Sequence, residues 1–160
     1  MSLPRRILVG TDFSDCSKEA LEDGVFLAQQ FGAELYLVHV FEMPVYILGM
    51  GGIPGPETPE MVAWIASSRE REKKRLDLLS EKVRREGVQA HPILKEGTPF
   101  REILQAAREN AADLIVLGTH GRTGLDRLMT GSVAERVVRH APCPVFLVKP
   151  KALTDQGPGK

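Results

Sequence analysis

The stretch of this 160-residue chain best equipped for chemistry runs from Gly118 to Ser132, and the chemistry it suggests is the holding of an anion. It reads Gly118-Thr-His-Gly121-Arg-Thr-Gly124-Leu-Asp-Arg-Leu-Met-Thr-Gly131-Ser132, directly after the apolar run Leu114-Ile-Val-Leu. Glycine has no Cβ, so the backbone can reach positive φ and bring its N–H groups close to phosphate oxygens. The Ser132 hydroxyl adds a donor. The free N–H groups and positive dipole end of a helix starting there would favour negative charge. Glycine-rich loops also serve as plain tight connections, but a turn needs far fewer fixed positions than these.

Other candidates are weaker. Asp12 lies just past the apolar run Ile7 to Gly10, where it could contact a ligand or cap the next helix; Ser14, two residues on, competes for the capping role. His39, His91, His120 and His140 lack metal-ligand spacing and read as four ordinary histidines. His120 alone lies in the glycine segment, and it reads as an exposed loop residue rather than a base. Arg122 and Arg127 are secondary phosphate candidates. Gly121-Arg-Thr-Gly124 weakly matches the loop of KH-type RNA-binding domains, but that loop joins two helices and here a strand precedes it.

The surrounding elements set where these residues stand. Ile7 to Gly10 is short, apolar and β-branched, a buried strand. Ser14 then caps a helix with apolar residues at Ala20, Leu21, Leu27, Ala28 and Phe31, ended by Gly32. Leu35 to Phe41 is a second strand. Thr58-Pro59 opens a charged helix over Met61 to Glu86, closed by Gly87. Gln89 to Leu94 is a third strand, and Pro92, which has no N–H for a ladder, marks it as an edge. Thr98-Pro99 starts a helix to Asn110; Leu114 to Leu117, Ser132 to His140 and Val145 to Val148 complete the series as strand, helix and strand.

Alternating strands and helices of this kind predict a parallel sheet covered on both faces by right-handed crossovers: a doubly wound, Rossmann-like α/β fold of five strands, in the order 3-2-1-4-5. Such sheets bind ligands beyond the carboxyl ends of their strands, where strand order reverses, so Asp12, Val40 and Gly118 are expected at one site.

The glycine spacing fits neither the Walker loop nor the dinucleotide fingerprint. Gly118, two residues, Gly121, nine residues, then Gly131-Ser132 does match the G-2x-G-9x-G-S/T signature of the ATP-binding branch of the universal stress protein family, which the chain resembles over roughly residues 3 to 150. The opening Ile-Leu-Val-Gly-Thr-Asp-Phe-Ser and the closing Ala141-Pro-Cys-Pro-Val are similar to that family too. The resemblance implies that Asp12, joined by Thr11, meets the ribose or adenine side of ATP and that the Val40 backbone hydrogen-bonds the adenine edge. It implies that Gly118 and Gly121 border ribose and phosphates and that Gly131, Ser132 and Val133 bind phosphate oxygens, with Mg²⁺ or Mn²⁺ bridging them. It also implies a homodimer through Val145 to Val148. An apolar last strand with an open edge independently calls for a cover.

Composition narrows the rest. With 42% hydrophobic residues, residues 1–150 can form one domain, followed by a polar tail, 151–160, expected to be disordered. Lys plus Arg equals Asp plus Glu at 21 each, which argues against nucleic-acid and membrane partners. The charged stretch Arg69 to Arg85 reads as a solvated helix face. Two distant cysteines and a first apolar run too short for a signal peptide predict a cytoplasmic protein. The connection from Glu42 to Thr58 reads either as a flap over the adenine or as a segment packed on a dimer partner. The expected function is nucleotide-dependent regulation in stress, read by an unidentified protein partner. The alternatives are a slow ATPase or other adenine-nucleotide hydrolase, and a holdase with an unused pocket. Gly118→Val and Gly131→Val are expected to push a side chain into the phosphate space.

Overall fold

The computed structural model describes residues 2–43, 58–120 and 131–151. Its elements follow one another as β1 (Arg6–Gly10), α1 (Asp15–Phe31), β2 (Glu34–Phe41), α2 (Pro59–Arg85), β3 (Ala90–Glu96), α3 (Pro99–Glu109), β4 (Leu114–Gly118), α4 (Ser132–His140) and β5 (Val145–Val148). The five strands form one sheet in the order β3-β2-β1-β4-β5, and every pairing is parallel, as the alternating pattern requires.

Strand side chains alternate between faces, and the two faces build two cores. Ile7, Val9, Leu35, Leu37 and Val116 pack with Ala20, Leu21 and Val25 of α1 and Leu76 and Val83 of α2. On the other face Leu8, Val38, Val40, Ile115 and Leu117 pack with Ile103, Leu104 and Ala107 of α3 and Val137 of α4. Near-continuous apolar runs in β1, β2 and β4 are what burial on both faces demands.

The helix ends follow their sequence signals with one exception. The Ser14 hydroxyl accepts the Ser17 N–H at 3.2 Å, and Gly32 closes α1 in the left-handed conformation at φ 64°. Thr58 caps α2 by accepting the Met61 N–H at 3.2 Å. Thr98 stands at the same place before Pro99, yet its side chain makes no cap bond; only its carbonyl joins the helix, accepting from Glu102. Pro92 pairs opposite Leu37 in β3, which is an edge strand. No helix among the described residues is long and apolar enough to cross a membrane.

Candidate functional site

β1 lies between β2 and β4, so the chain order turns over at its carboxyl end and opens a crevice there. A cleft of about 370 Å³ occupies that place. Thr11 and Asp12 line it from the end of β1, Val40 from β2, Gly118 from β4, and Gly131, Ser132 and Val133 from the start of α4. Seven of the eight residues singled out by sequence therefore meet around one space. The eighth, Gly121, lies outside the described residues, as do Arg122, Gly124 and Arg127. So do residues 44–57 of the connection read as a flap or a dimer-packing segment, and residues 152–160 of the tail.

At one end of the cleft stands the N-terminus of α4. Its first intrahelical bond runs from the Glu135 N–H to the Gly131 carbonyl at 3.0 Å, so the amides of Ser132, Val133 and Ala134 precede the helical ladder. No side chain among the described residues caps them. Unpaired amides and the helix dipole make this end attractive to an anion. The Gly131 N–H does not join them, because it donates to the Thr119 carbonyl.

The two glycines are required for reasons other than the one expected. A Cβ on Gly118 would lie 2.6 Å from Cys16 Sγ and 3.1 Å from the Cys16 carbonyl oxygen, pointing into α1 rather than into the cleft. On Gly131 it would meet the Thr119 carbonyl oxygen at 2.9 Å, inside the loop's own backbone. Glycine here lets β4 approach α1 and lets the chain leading into α4 close on residue 119. A side chain at either position would collide with protein before it reached a ligand.

The other end is polar and tightly bonded. Asp12 Oδ1 accepts the Ser14 N–H at 3.0 Å, holding the turn that leads to α1. The Thr11 Oγ1 accepts the Phe13 N–H at 3.1 Å and lies 3.2 Å from Ser17 Oγ. Phe13 takes a positive φ of 62°, unusual outside glycine. Its ring is 4.3 Å from that of His39 and lies beneath the Arg75 guanidinium at 4.1 Å.

His39, read from sequence as ordinary, proves to be a wall of the cleft, with Glu72 and Glu42 beside it. It is 3% exposed; its Nδ1 is 2.8 Å from the Thr11 carbonyl oxygen and its Nε2 2.6 Å from Glu72 Oε2. The one signal in the sequence was an imidazole set inside the otherwise apolar run Leu35 to Phe41. Its partner, 33 positions away on α2, could not be read from spacing. His120 also lines the cleft, its Nδ1 2.8 Å from Thr119 Oγ1. The described residues contain no group of three or more His, Cys, Asp or Glu side chains able to hold a metal ion on their own.

Comparison with known proteins places this geometry in company. The profile of the universal stress protein family matches residues 4–149. A universal stress protein of Methanocaldococcus jannaschii is 36% identical over 148 residues, which span 92% of this chain and 84% of that one. Among solved structures, universal stress protein UspA from Lactobacillus plantarum is similar with a TM-score of 0.75 at 25% identity, over 92% of this chain and 99% of its own. The universal stress protein from Archaeoglobus fulgidus solved in complex with dAMP has a TM-score of 0.62 at 24% identity, over 92% of this chain and 100% of that one, a likeness of fold.

Proposed function

This chain belongs to the universal stress protein family, and on that premise we propose that it is a nucleotide-dependent regulatory protein whose ligand is ATP. The observation that carries the reading is the convergence of residues 11–12, 40, 118 and 131–133, drawn from four separate stretches, on one cleft beyond the strand ends. The phosphates lie at the α4 end, where the Ser132, Val133 and Ala134 amides and the Ser132 hydroxyl meet negative charge. The base and ribose lie at the β1 and β2 end, against Val40 and Asp12. The Archaeoglobus protein, which shares the fold, is in complex with dAMP, so this architecture is compatible with an adenine nucleotide.

The oxygen-rich chemistry of the cleft also suits Mg²⁺ or Mn²⁺. Such an ion takes most of its ligands from phosphates and water, so the absence of a carboxylate cluster among the described residues does not count against it. When bound, it would neutralise phosphate charge, with the Ser132 hydroxyl as the protein oxygen at that end. The reading extends to a cytoplasmic protein of one domain, residues 1–150, acting as a homodimer through β5 and read by a protein partner. On this reading any ATPase activity is slow.

Thermal unfolding with and without nucleotide tests the ligand. ATP at ~100 times its dissociation constant adds about 2.7 kcal/mol of stability, and the Ser132→Ala variant needs more ATP to reach the same shift. No shift with ATP, ADP or AMP would overturn the proposal.

A further inference from the structure

Val40 is a backbone residue of β2, yet its main-chain groups stand outside the sheet's ladder, and the reason lies in His39. β1 and β2 pair in parallel with Gly10 opposite Val38, and the Thr11 N–H donates to the Val38 carbonyl at 2.9 Å. In a parallel ladder, alternate residues of a strand bond to the same neighbour. One step further, the Val40 N–H would donate to the Thr11 carbonyl and the Val40 carbonyl would accept from the Phe13 N–H.

Neither bond forms among the described residues. Two local bonds replace them. The Phe13 N–H turns back to Thr11 Oγ1, two residues earlier, at 3.1 Å, and the Thr11 carbonyl meets His39 Nδ1 at 2.8 Å. A carbonyl oxygen only accepts, so Nδ1 carries the proton of that bond. His39 Nε2 faces Glu72 Oε2 at 2.6 Å, which anchors the ring from the α2 side, and Phe13 covers its face. The ring is thus held on three sides in a place where it is 3% exposed.

From this arrangement we infer that His39 is a positioning residue for base recognition: by holding the Thr11 carbonyl out of the ladder, it keeps the Val40 N–H and C=O open to the cleft. The inference rests on the nucleotide-binding reading above. One residue then offers a donor and an acceptor side by side to a flat ligand. Adenine carries the complement on its Watson–Crick edge, an acceptor at N1 and a donor at N6. Guanine carries a donor at N1 and an acceptor at O6, the reverse order, so the exposed pair selects adenine over guanine. Glu72 enters as the group that orients the ring, as a carboxylate orients a functional histidine elsewhere.

Two substitutions separate the ring's two contacts. In His39→Gln the side-chain amide reaches as far as Nε2 and can keep Glu72 but leaves the Thr11 carbonyl. In His39→Asn the amide sits where Nδ1 was and keeps the Thr11 carbonyl. Hydrogen exchange followed by NMR on the nucleotide-free protein reads the ladder directly. The Val40 amide is expected to exchange freely in the wild type while the Val38 amide is protected, and to gain protection in His39→Gln. ATP affinity in His39→Gln should fall about tenfold and the preference for ATP over GTP should shrink, with affinity for tripolyphosphate, which needs only the α4 end, unchanged. His39→Asn should retain both the affinity and the preference.

A Val40 amide as protected as that of Val38 in the wild type overturns the inference, and so does a folded His39→Gln variant that binds ATP with wild-type strength and selectivity. A wild-type protein that binds no adenine nucleotide sinks the functional reading instead, while the exchange measurement still decides whether His39 holds the ladder open.

Discussion

Gly118 shows how packing can demand a glycine for a reason that the sequence pattern does not carry. The resemblance put it beside the ribose and phosphates and a side chain there in the phosphate space; in the structure its missing Cβ makes room for Cys16 at the start of α1. That reason was not legible, because it depends on a helix 102 positions earlier passing within contact distance of β4. Cys16 is itself 7% exposed, with its Sγ 3.7 Å from the Val148 carbonyl oxygen, so it has little freedom to retreat. Gly118→Ala should therefore destabilise the fold by roughly 1–3 kcal/mol, the range for forcing an extra carbon into a packed core, as measured by urea unfolding. Adding Cys16→Ala removes the sulfur at 2.6 Å but leaves the Cys16 carbonyl at 3.1 Å, so the double variant should recover only part of the loss. Gly118→Ala unfolding at the wild-type denaturant concentration would show that α1 yields at no cost. Stability, not ligand affinity, is the first readout of this glycine.

At the level of elements, local signals carried most of the information. The β1, β2 and β4 runs, the Ser14 and Thr58 caps and the Gly32 terminator each depend on neighbours a few residues away, and each is found where those neighbours put it. Pro92 announced the edge position of β3 through a missing donor. Contacts between elements were silent, since they join side chains far apart in sequence. The link between β3 and α3 is one: Lys95 Nζ lies 2.6 Å from Glu109 Oε2, and Gln105 Nε2 donates to Glu109 Oε1 at 2.7 Å. The Lys95 hydrogen bond first, and the Gln105 bond second, hold the Glu109 carboxyl below its ordinary value. A carboxyl depressed in the folded state contributes stability above its unfolded pKa and loses that contribution as pH falls through the folded one. A carbon-detected NMR titration should therefore find Glu109 ionised at acidity that protonates unpaired surface glutamates. Lys95→Met should bring it back toward them. A Glu109 midpoint unmoved by that substitution would mean the ammonium is too well solvated to matter.

The whole molecule ends at two sheet edges, and they are not equivalent. β3 carries Pro92 on its own edge, whereas β5 is apolar, with Phe146 44% exposed and Val138 of the adjacent α4 49% exposed. The pairing pattern says which β5 groups face outward. Ile115 donates to the Pro144 carbonyl and Thr119 to the Val148 carbonyl, so the even-numbered residues bond to β4. Val145 and Leu147 therefore turn their N–H and C=O groups away from β4, toward the open edge. A second copy of β5 is the partner proposed for them, since an edge of this kind otherwise recruits strands without control. Leu147→Pro removes one outward donor and no β4 bond, so the monomer should keep its fold while the dimer is lost. Phe146→Lys should weaken the same contact by placing like charges face to face across it. Sedimentation equilibrium distinguishes the outcomes: wild type at twice the chain mass and both variants at the chain mass, with unchanged circular dichroism. A dimer that survives Leu147→Pro would place the interface elsewhere, and the β5 edge would then need another cover.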